Sequence, residues 1–182
     1  MSILSRYDIA YKGLKEGTYQ FKFEIDNEFF DEFENSLVNK GEVKAKVSLI
    51  KQSTLLIIEM AVKGTVELMC DRCLDQYNQR VKNKNNLLVK FGIETEELSD
   101  DLIVLPLDEY QINIAQYLYE LIILGLPIKH VHPDDKNGNS TCNPEMLKEL
   151  EQYLVDTAPI NNENVQVVDE RWNELKKLLD NK

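Results

Sequence analysis

Apolar and polar residues alternate along the segment that begins at Thr54 and leads into a Cys-x-x-Cys motif, Cys70 to Cys73. A period of two is typical of a β-strand with one buried face. Gly64 interrupts the apolar row, which predicts a bulge or a bend at that position. The apolar positions are Leu56, Ile58, Met60, Val62, Val66 and Leu68.

Shorter alternating segments lie on both sides of this strand. Residues 18–25 and 42–51 precede it, and residues 77–91 follow the two cysteines. The connections are short enough for hairpins, so the pattern predicts a meander of at least four antiparallel strands. The Cys-x-x-Cys motif would then lie in the turn between the third strand and the fourth.

The region after the meander has a weaker pattern. Residues 94–101 are acidic and are expected to form a loop. Residues 102–107 are expected to add a short edge strand, because Pro106 lacks the N–H that a central strand needs.

Two of the predicted strands are followed by segments whose apolar residues have the spacing of an α-helix. A helix capped by Asp26 or Asn27 is expected to end near Gly41. A second helix is expected to start at Asn113, with Gln116 completing a capping box, and to stop at Gly125 and Pro127. The apolar faces are Phe29, Phe30, Phe33 and Leu37 in the first helix, and Ile114, Tyr117, Leu118, Leu121 and Ile122 in the second.

Two more helices are predicted near the C-terminus. Asn143 followed by Pro144 is typical of a helix start, and Asp169 is the expected cap of a last helix that carries Trp172. We therefore expect one domain over residues 1–156, a linker over residues 157–168 and a tail helix over residues 169–182. The expected fold class is α+β: an antiparallel meander that could curl into a barrel-like sheet, covered by helices, with the C-terminal tail helix.

Composition fits a globular domain: 43% of the 182 residues are hydrophobic and 29% are charged. No apolar run approaches the roughly 18 residues that span a bilayer, and the N-terminus lacks the pattern of a signal peptide. Three cysteines, an odd number, suit a reducing compartment better than a disulfide framework. We expect a cytoplasmic protein that does not contact the membrane.

Charge is unevenly distributed along the chain, whose net charge is −11. Residues 40–90 carry 10 basic and 5 acidic side chains, a net charge of +5, whereas residues 91–135 carry 1 basic and 10 acidic side chains, a net charge of −9. These segments are either solvated surfaces or recognition surfaces, and the acidic one suits a basic partner.

Basic side chains could share one exposed face of the predicted sheet, although the register is not fixed by the sequence. Arg72, between the cysteines, either contacts phosphate from the turn or pairs with Asp71 or Asp75. The candidate nucleic-acid-binding residues are Lys44, Lys46, Arg72, Arg80, Lys82 and Lys84.

Enzymatic motifs are missing from the sequence. It contains no phosphate-binding glycine loop and no Gly-x-Ser-x-Gly, and its two histidines lie in one polar segment. We expect a protein without catalytic activity.

Four segments, in the same order along nearly the whole chain, resemble a known family. They are residues 70–74 (Cys-Asp-Arg-Cys-Leu), the helix of residues 112–127 ending in Leu-Pro, the His/Cys loop after it, and residues 168–175 (Val-Asp-Glu-Arg-Trp-Asn-Glu-Leu). This combination resembles the YceD family, the large ribosomal RNA subunit accumulation proteins. The resemblance implies a role in 23S rRNA accumulation and large-subunit assembly, with rRNA or a basic ribosomal protein as the partner.

The three cysteines are candidate metal ligands. Many members of that family carry a second cysteine pair after the Leu-Pro helix, whereas this chain has Cys142 alone there. The metal site is therefore either lost or recast as a Cys3His zinc site, formed by Cys70, Cys73 and Cys142 with His132 or His130. The alternative is three reduced thiols and two exposed histidines.

A redox role is the weaker interpretation of the cysteine pair, because a strand follows it and not a thiol-activating helix. Asp71 and Asp75 would also oppose thiolate formation. The alternative function is therefore a zinc-stapled or redox-sensitive protein–protein adaptor without RNA contact.

Overall fold

The computed structural model of the chain describes residues 3–153. Its main element is a six-stranded sheet in the order β2-β3-β4-β5-β7-β6, and a two-stranded sheet pairs β1 with β8. The strands are β1 Asp8–Ala10, β2 Gly17–Ile25, β3 Lys40–Lys51, β4 Leu55–Met69, β5 Gln76–Gly92, β6 Glu96–Ser99, β7 Leu102–Pro106 and β8 Gln111–Asn113; the helices are a 3₁₀ turn Ile3–Tyr7, α1 Asn27–Asp31, α2 Ala115–Leu124 and α3 Pro144–Tyr153.

Strands β2 to β5 form the predicted antiparallel meander, each strand paired with the next. The six apolar positions of the long β4 pattern are between 0% and 3% exposed, so the period of two identified the buried face. We call this face of the sheet the inner face. The opposite face, which carries Lys44, Lys63 and Lys82, is the outer face.

Gly64 lies in an unbroken ladder, so the predicted bulge is absent. It pairs with Val43 on β3 and with Val81 on β5, and the registers continue on both sides of it. A Cβ atom at this position would overlap the carbonyl oxygen of Glu42. The glycine is therefore explained by the close approach of the two backbones.

The acidic segment after β5 is a strand and not the predicted loop. Residues of β6 pair antiparallel with β7, and β7 pairs parallel with β5. The predicted edge position of β7 is therefore wrong: β6 is the edge. Pro106 is tolerated because it is the last residue of β7. The four residues of β6 are all exposed, so no apolar alternation marked this strand.

Helix α1 is shorter than predicted. It ends at Asp31, and Gly41 lies inside β3 opposite Val66. The chain leaves the helix through Asn35, whose φ of 56° lies in the left-handed region. Asparagine tolerates this conformation, so Asn35 takes the left-handed position that we expected Gly41 to take.

Helices α1 and α2 contribute to the core on the inner face. The N-cap of α2 is Ile114, one residue after the predicted Asn113, whose side chain accepts a hydrogen bond from the N–H of Ala115 (2.9 Å). The side chain of Gln116 donates to Glu120 and is not seen to complete the predicted capping box. Gly125 and Pro127 end this helix as predicted. A side chain at Gly125 would contact Val81 and Asn83 on β5, which explains the glycine.

The α+β fold class is confirmed. The sheet is open, with β2 and β6 at its edges, and so does not close into a barrel. The predicted linker and tail helix lie outside the described residues and stay predictions. Within residues 3–153, none of the helices is both long and apolar enough to cross a bilayer.

Candidate metal centre and basic face

The Cys-x-x-Cys motif lies at the tip of the β4–β5 hairpin. The turn is closed by hydrogen bonds from the N–H of Cys70 to the carbonyl of Asp75 and from the N–H of Leu74 to the carbonyl of Cys70, both 2.9 Å. Leu74 adopts a left-handed φ of 60°, which reverses the chain. Both thiols are buried, with 0% exposure for Cys70 and 1% for Cys73.

A pair of hydrogen bonds joins the loop after α2 to this tip. The N–H of Asp71 donates to the carbonyl of His130, and the N–H of His130 donates to the Asp71 carboxylate, each over 2.7 Å. This clamp fixes the loop two residues before His132. Asp71 therefore positions the loop.

The far end of the same loop is also ordered by its own side chains. The Asp135 carboxylate accepts hydrogen bonds from the N–H groups of Asn137 and Asn139, and these bonds lower the pKa of Asp135. Thr141 donates to the carbonyl of Pro133. The chain is therefore held in a compact turn just before Cys142.

Four potential metal ligands converge at this point: Cys70, Cys73, His132 and Cys142, whose ligand atoms all lie within 4.8 Å of one another. The sulfur atoms of Cys70 and Cys142 are 3.7 Å apart, and the sulfur of Cys73 is 3.5 Å from Nδ1 of His132. His130 is not in the cluster, and its contacts within residues 3–153 are made by its backbone. The structure thus distinguishes the two histidines, which the sequence did not.

These separations fit a tetrahedral zinc site. Zn–S bonds of about 2.3 Å and Zn–N bonds of about 2.0–2.1 Å, arranged tetrahedrally, place two sulfurs about 3.8 Å apart and a sulfur and a nitrogen about 3.6 Å apart. Three thiols and one imidazole are also a common structural zinc ligand set.

Thiol ionisation in the cluster is uneven. Burial raises the pKa of Cys70, but hydrogen bonds from the N–H groups of Cys73 and Arg72 and from His132 outweigh it, and the pKa falls from 9.0 to about 6. Burial raises the pKa of the Cys142 thiol. The expectation that Asp71 and Asp75 would suppress the thiolate is wrong for Cys70, because the turn N–H groups point at its sulfur. A preformed thiolate is the state that binds metal.

Tyr77 packs beside the cluster and was missed from the sequence. Its ring centroid lies 5.0 Å from that of His132, and its hydroxyl is buried without a hydrogen-bond partner in the described part of the chain. Its place as the first inward residue of β5 was the available signal.

The register places basic residues in rows on the outer face. Lys44, Lys63 and Lys82 are directly opposite one another on β3, β4 and β5. In the next row, Lys46 and Lys84 lie on either side of Ala61. Strand spacing sets the three lysines of the first row about 5 Å apart, and the rows are about 7 Å apart along the strands.

These rows line an open groove of about 1310 Å³, which we call the basic groove. Its charged lining residues are Lys44, Lys46, Lys63, Arg80, Lys82 and Lys84 against Glu24, Asp26 and Glu42. Lys63 was not among the sequence candidates, although the alternation along β4 puts its position on the exposed face.

The cations of the basic groove have no acidic partner within 4 Å among residues 3–153. The two ion pairs of that region, Arg6–Glu28 and Lys40–Glu67, lie outside it. Arg72 is exposed at the hairpin tip and forms neither of the predicted pairs with Asp71 or Asp75 in the described region. It is not one of the residues that line the groove.

Comparison with family models gives a match to this chain. Neither the curated proteins nor the solved structures contain a match. The family model described as "Large ribosomal RNA subunit accumulation protein YceD" matches residues 58–179, more than half of the chain. The matched region begins within β4 and includes the hairpin tip, the loop after α2 and Cys142. The chain therefore belongs to the YceD family of large ribosomal RNA subunit accumulation proteins.

Proposed function

We propose that the chain supports accumulation of large-subunit rRNA by binding the RNA backbone in the basic groove, and that it does so without catalysis, in the cytoplasm. The observation that carries the proposal is the row formed by Lys44, Lys63 and Lys82 across three neighbouring strands. Like charges directly opposite one another destabilise a sheet, so the row has a cost that a bound anion would relieve.

Phosphate binding explains the charge of the groove. Six cations against three carboxylates give a net charge of +3 in a chain whose net charge is −11. Lysine and arginine side chains that replace the counterions of RNA gain free energy from counterion release. The local excess of cations therefore supports RNA contact in an otherwise acidic protein.

The groove is suited to helical RNA more than to unpaired bases. Sheets that bind single strands stack bases on aromatic side chains. None of the residues that line the groove in the described part of the chain is aromatic, and Ala61 and Thr65 occupy its centre. We expect contact with phosphates and 2′-hydroxyls, with little sequence preference.

Charge reversal tests the RNA contact. Replacing Lys44, Lys63 and Lys82 by Glu should abolish binding of an rRNA helix in fluorescence anisotropy, and the wild-type salt slope should correspond to several phosphate contacts. The matched control reverses the exposed Lys15, Lys136 and Lys148, which changes the net charge equally. Equal binding by both variants would favour the alternative, an adaptor that does not contact RNA.

We also propose that Cys70, Cys73, Cys142 and His132 hold one structural zinc ion. The sulfur–sulfur and sulfur–nitrogen separations and the depressed pKa of Cys70 support this assignment. Bound metal would join the hairpin tip to the loop after α2 and to the start of α3. It would supply folding free energy and no chemistry.

The two histidines provide a matched pair for the zinc proposal. We expect about one zinc per chain by metal analysis of the purified protein, lost in His132→Ala and retained in His130→Ala, because only His132 reaches the cluster. Equal zinc content in the two variants would contradict the assignment.

A further inference from the structure

A second groove lies on the inner face, on the side of the sheet away from the basic groove. It has a volume of about 500 Å³ and runs between α2 and the β6–β7 edge. Its floor is apolar, formed by Met60, Leu87 and Ile103. We call it the acidic groove because of the residues that border it.

The charge of this groove is of one sign. Glu97, Asp100 and Glu120 line it, and none of the described residues that line it is basic. Burial raises the pKa of Tyr117 in the same groove, and the carboxylates of Glu97 and Glu120 raise it further. Glu97 on β6 and Glu120 on α2 therefore contribute negative charge from both sides of the groove.

An unpaired strand edge runs along the groove. In the region that the structure describes, β6 pairs with β7 on one side and with no strand on the other. Glu97 and Ser99 of β6 border the groove, and all four residues of the strand are exposed. Such an edge presents free N–H and C=O groups to a second chain.

We propose that β6 and the acidic groove bind an extended, lysine- or arginine-rich segment of a partner protein by strand addition. The backbone of the segment would pair with β6. Every second side chain would face the groove, where a cation meets Glu97 or Glu120 and a large apolar side chain packs on Leu124, which is 77% exposed.

Charge selects this occupant over the others. RNA and a second copy of β6 would both bring negative charge to Glu96, Glu97 and Asp100. A basic segment gains from the unpaired edge of β6 and from the negative charge of the acidic groove. The partner surface proposed here lies opposite the RNA surface and does not depend on it.

The probe is a synthetic peptide of about ten residues in which Lys and Leu alternate, labelled for fluorescence anisotropy and added to the full chain. We expect saturable binding that weakens at least about tenfold in Glu97→Lys/Glu120→Lys. The matched control, Glu145→Lys/Glu149→Lys on α3, should bind like the wild type. Equal weakening in both variants would overturn the site, since only net charge would then matter.

Strand addition is tested by the backbone of the peptide. The same peptide with alternate residues N-methylated keeps its charge but loses the N–H groups that would pair with β6, so binding should fall at least about tenfold. Undiminished binding would overturn the strand-addition geometry. Amide hydrogen exchange at β6 should slow when the unmodified peptide binds. Unchanged exchange would also overturn the strand-addition geometry.

The chain's own C-terminal segment is the competing occupant. Trp172 is the single tryptophan of the chain and reports on that segment. Its emission should be the same in the wild type and in Glu97→Lys/Glu120→Lys without peptide. If the emission shifts in that variant and the intact wild-type chain does not bind the peptide, the groove is occupied by the C-terminal segment.

Discussion

Asp71 shows how one exposed residue organises the Cys/His cluster without belonging to it. Its carboxylate and its N–H both hydrogen-bond the backbone of His130, and two residues later His132 reaches the sulfur of Cys73. Outer contacts of this kind fix the orientation of metal ligands. The Cys-x-x-Cys motif thus contains both two of the candidate ligands and the residue that brings the distant loop to them.

Gly64 is a second position where a single residue sets the geometry. We expect Gly64→Ala to lower the free energy of unfolding by about 1–3 kcal/mol, because the added methyl group overlaps the Glu42 carbonyl between two central strands. Gly13→Ala is the control, since no atom of residues 3–153 lies within 4 Å of a Cβ built there. Urea denaturation measures both, and equal stabilities would show that β3 and β4 can separate without cost.

At the scale of elements, the proposed zinc site joins segments that have few other contacts. In the loop after α2 and in helix α3, Cys142 is buried in the core, and α3 has no fully buried residue. The other residues of this segment that pack on the core are partly buried: Leu126, Val131, Met146 and Leu147. The β4–β5 hairpin, in contrast, is paired over fifteen residues of β4.

Removal of metal should therefore loosen one part of the molecule selectively. We expect chelation to speed amide hydrogen exchange in residues 130–147 strongly, while the amides of β4 and β5 keep their protection. Cys142→Ser should reproduce the effect without chelator, because it removes a ligand from this segment. Uniform loss of protection throughout the sheet would show that the metal holds the whole fold and not the loop.

The sequence predicted the strands of the meander better than it predicted the composition of the basic row and of the Cys/His cluster. The alternation of β4 identified its buried face, and Cys70 and Cys73 were expected at a hairpin tip, because both follow from local periodicity. Lys63 joins the basic row only through its register with Lys44 and Lys82, which depends on how three strands align. The choice of His132 over His130 depends on the Asp71 clamp, a contact between distant segments.

The misassigned elements share a physical cause. The acidic β6 is fully exposed, so it carries no apolar pattern, and it forms only because β7 offers an edge. Gly41 suggested a helix end, but its role is to let β3 pass close to Phe30 and Val66. In both cases tertiary contacts outweigh local propensity.

At the scale of the whole molecule, the sheet separates two charge environments. The basic groove lies on the outer face, and the acidic groove lies on the inner face beside α2. If both proposals hold, RNA bound on one face and a basic protein segment bound on the other would not compete. The two proposals together describe a factor that would bring rRNA and protein together during assembly.

The most direct measurement is the level of large-subunit rRNA in cells that lack the chain and are supplied with variants of it. We predict that the variant with Lys44, Lys63 and Lys82 replaced by Glu, expressed at wild-type level, leaves the rRNA depleted. The variant with Lys15, Lys136 and Lys148 replaced by Glu should restore it. Full restoration by the basic-groove variant would contradict the central claim that this face binds the RNA.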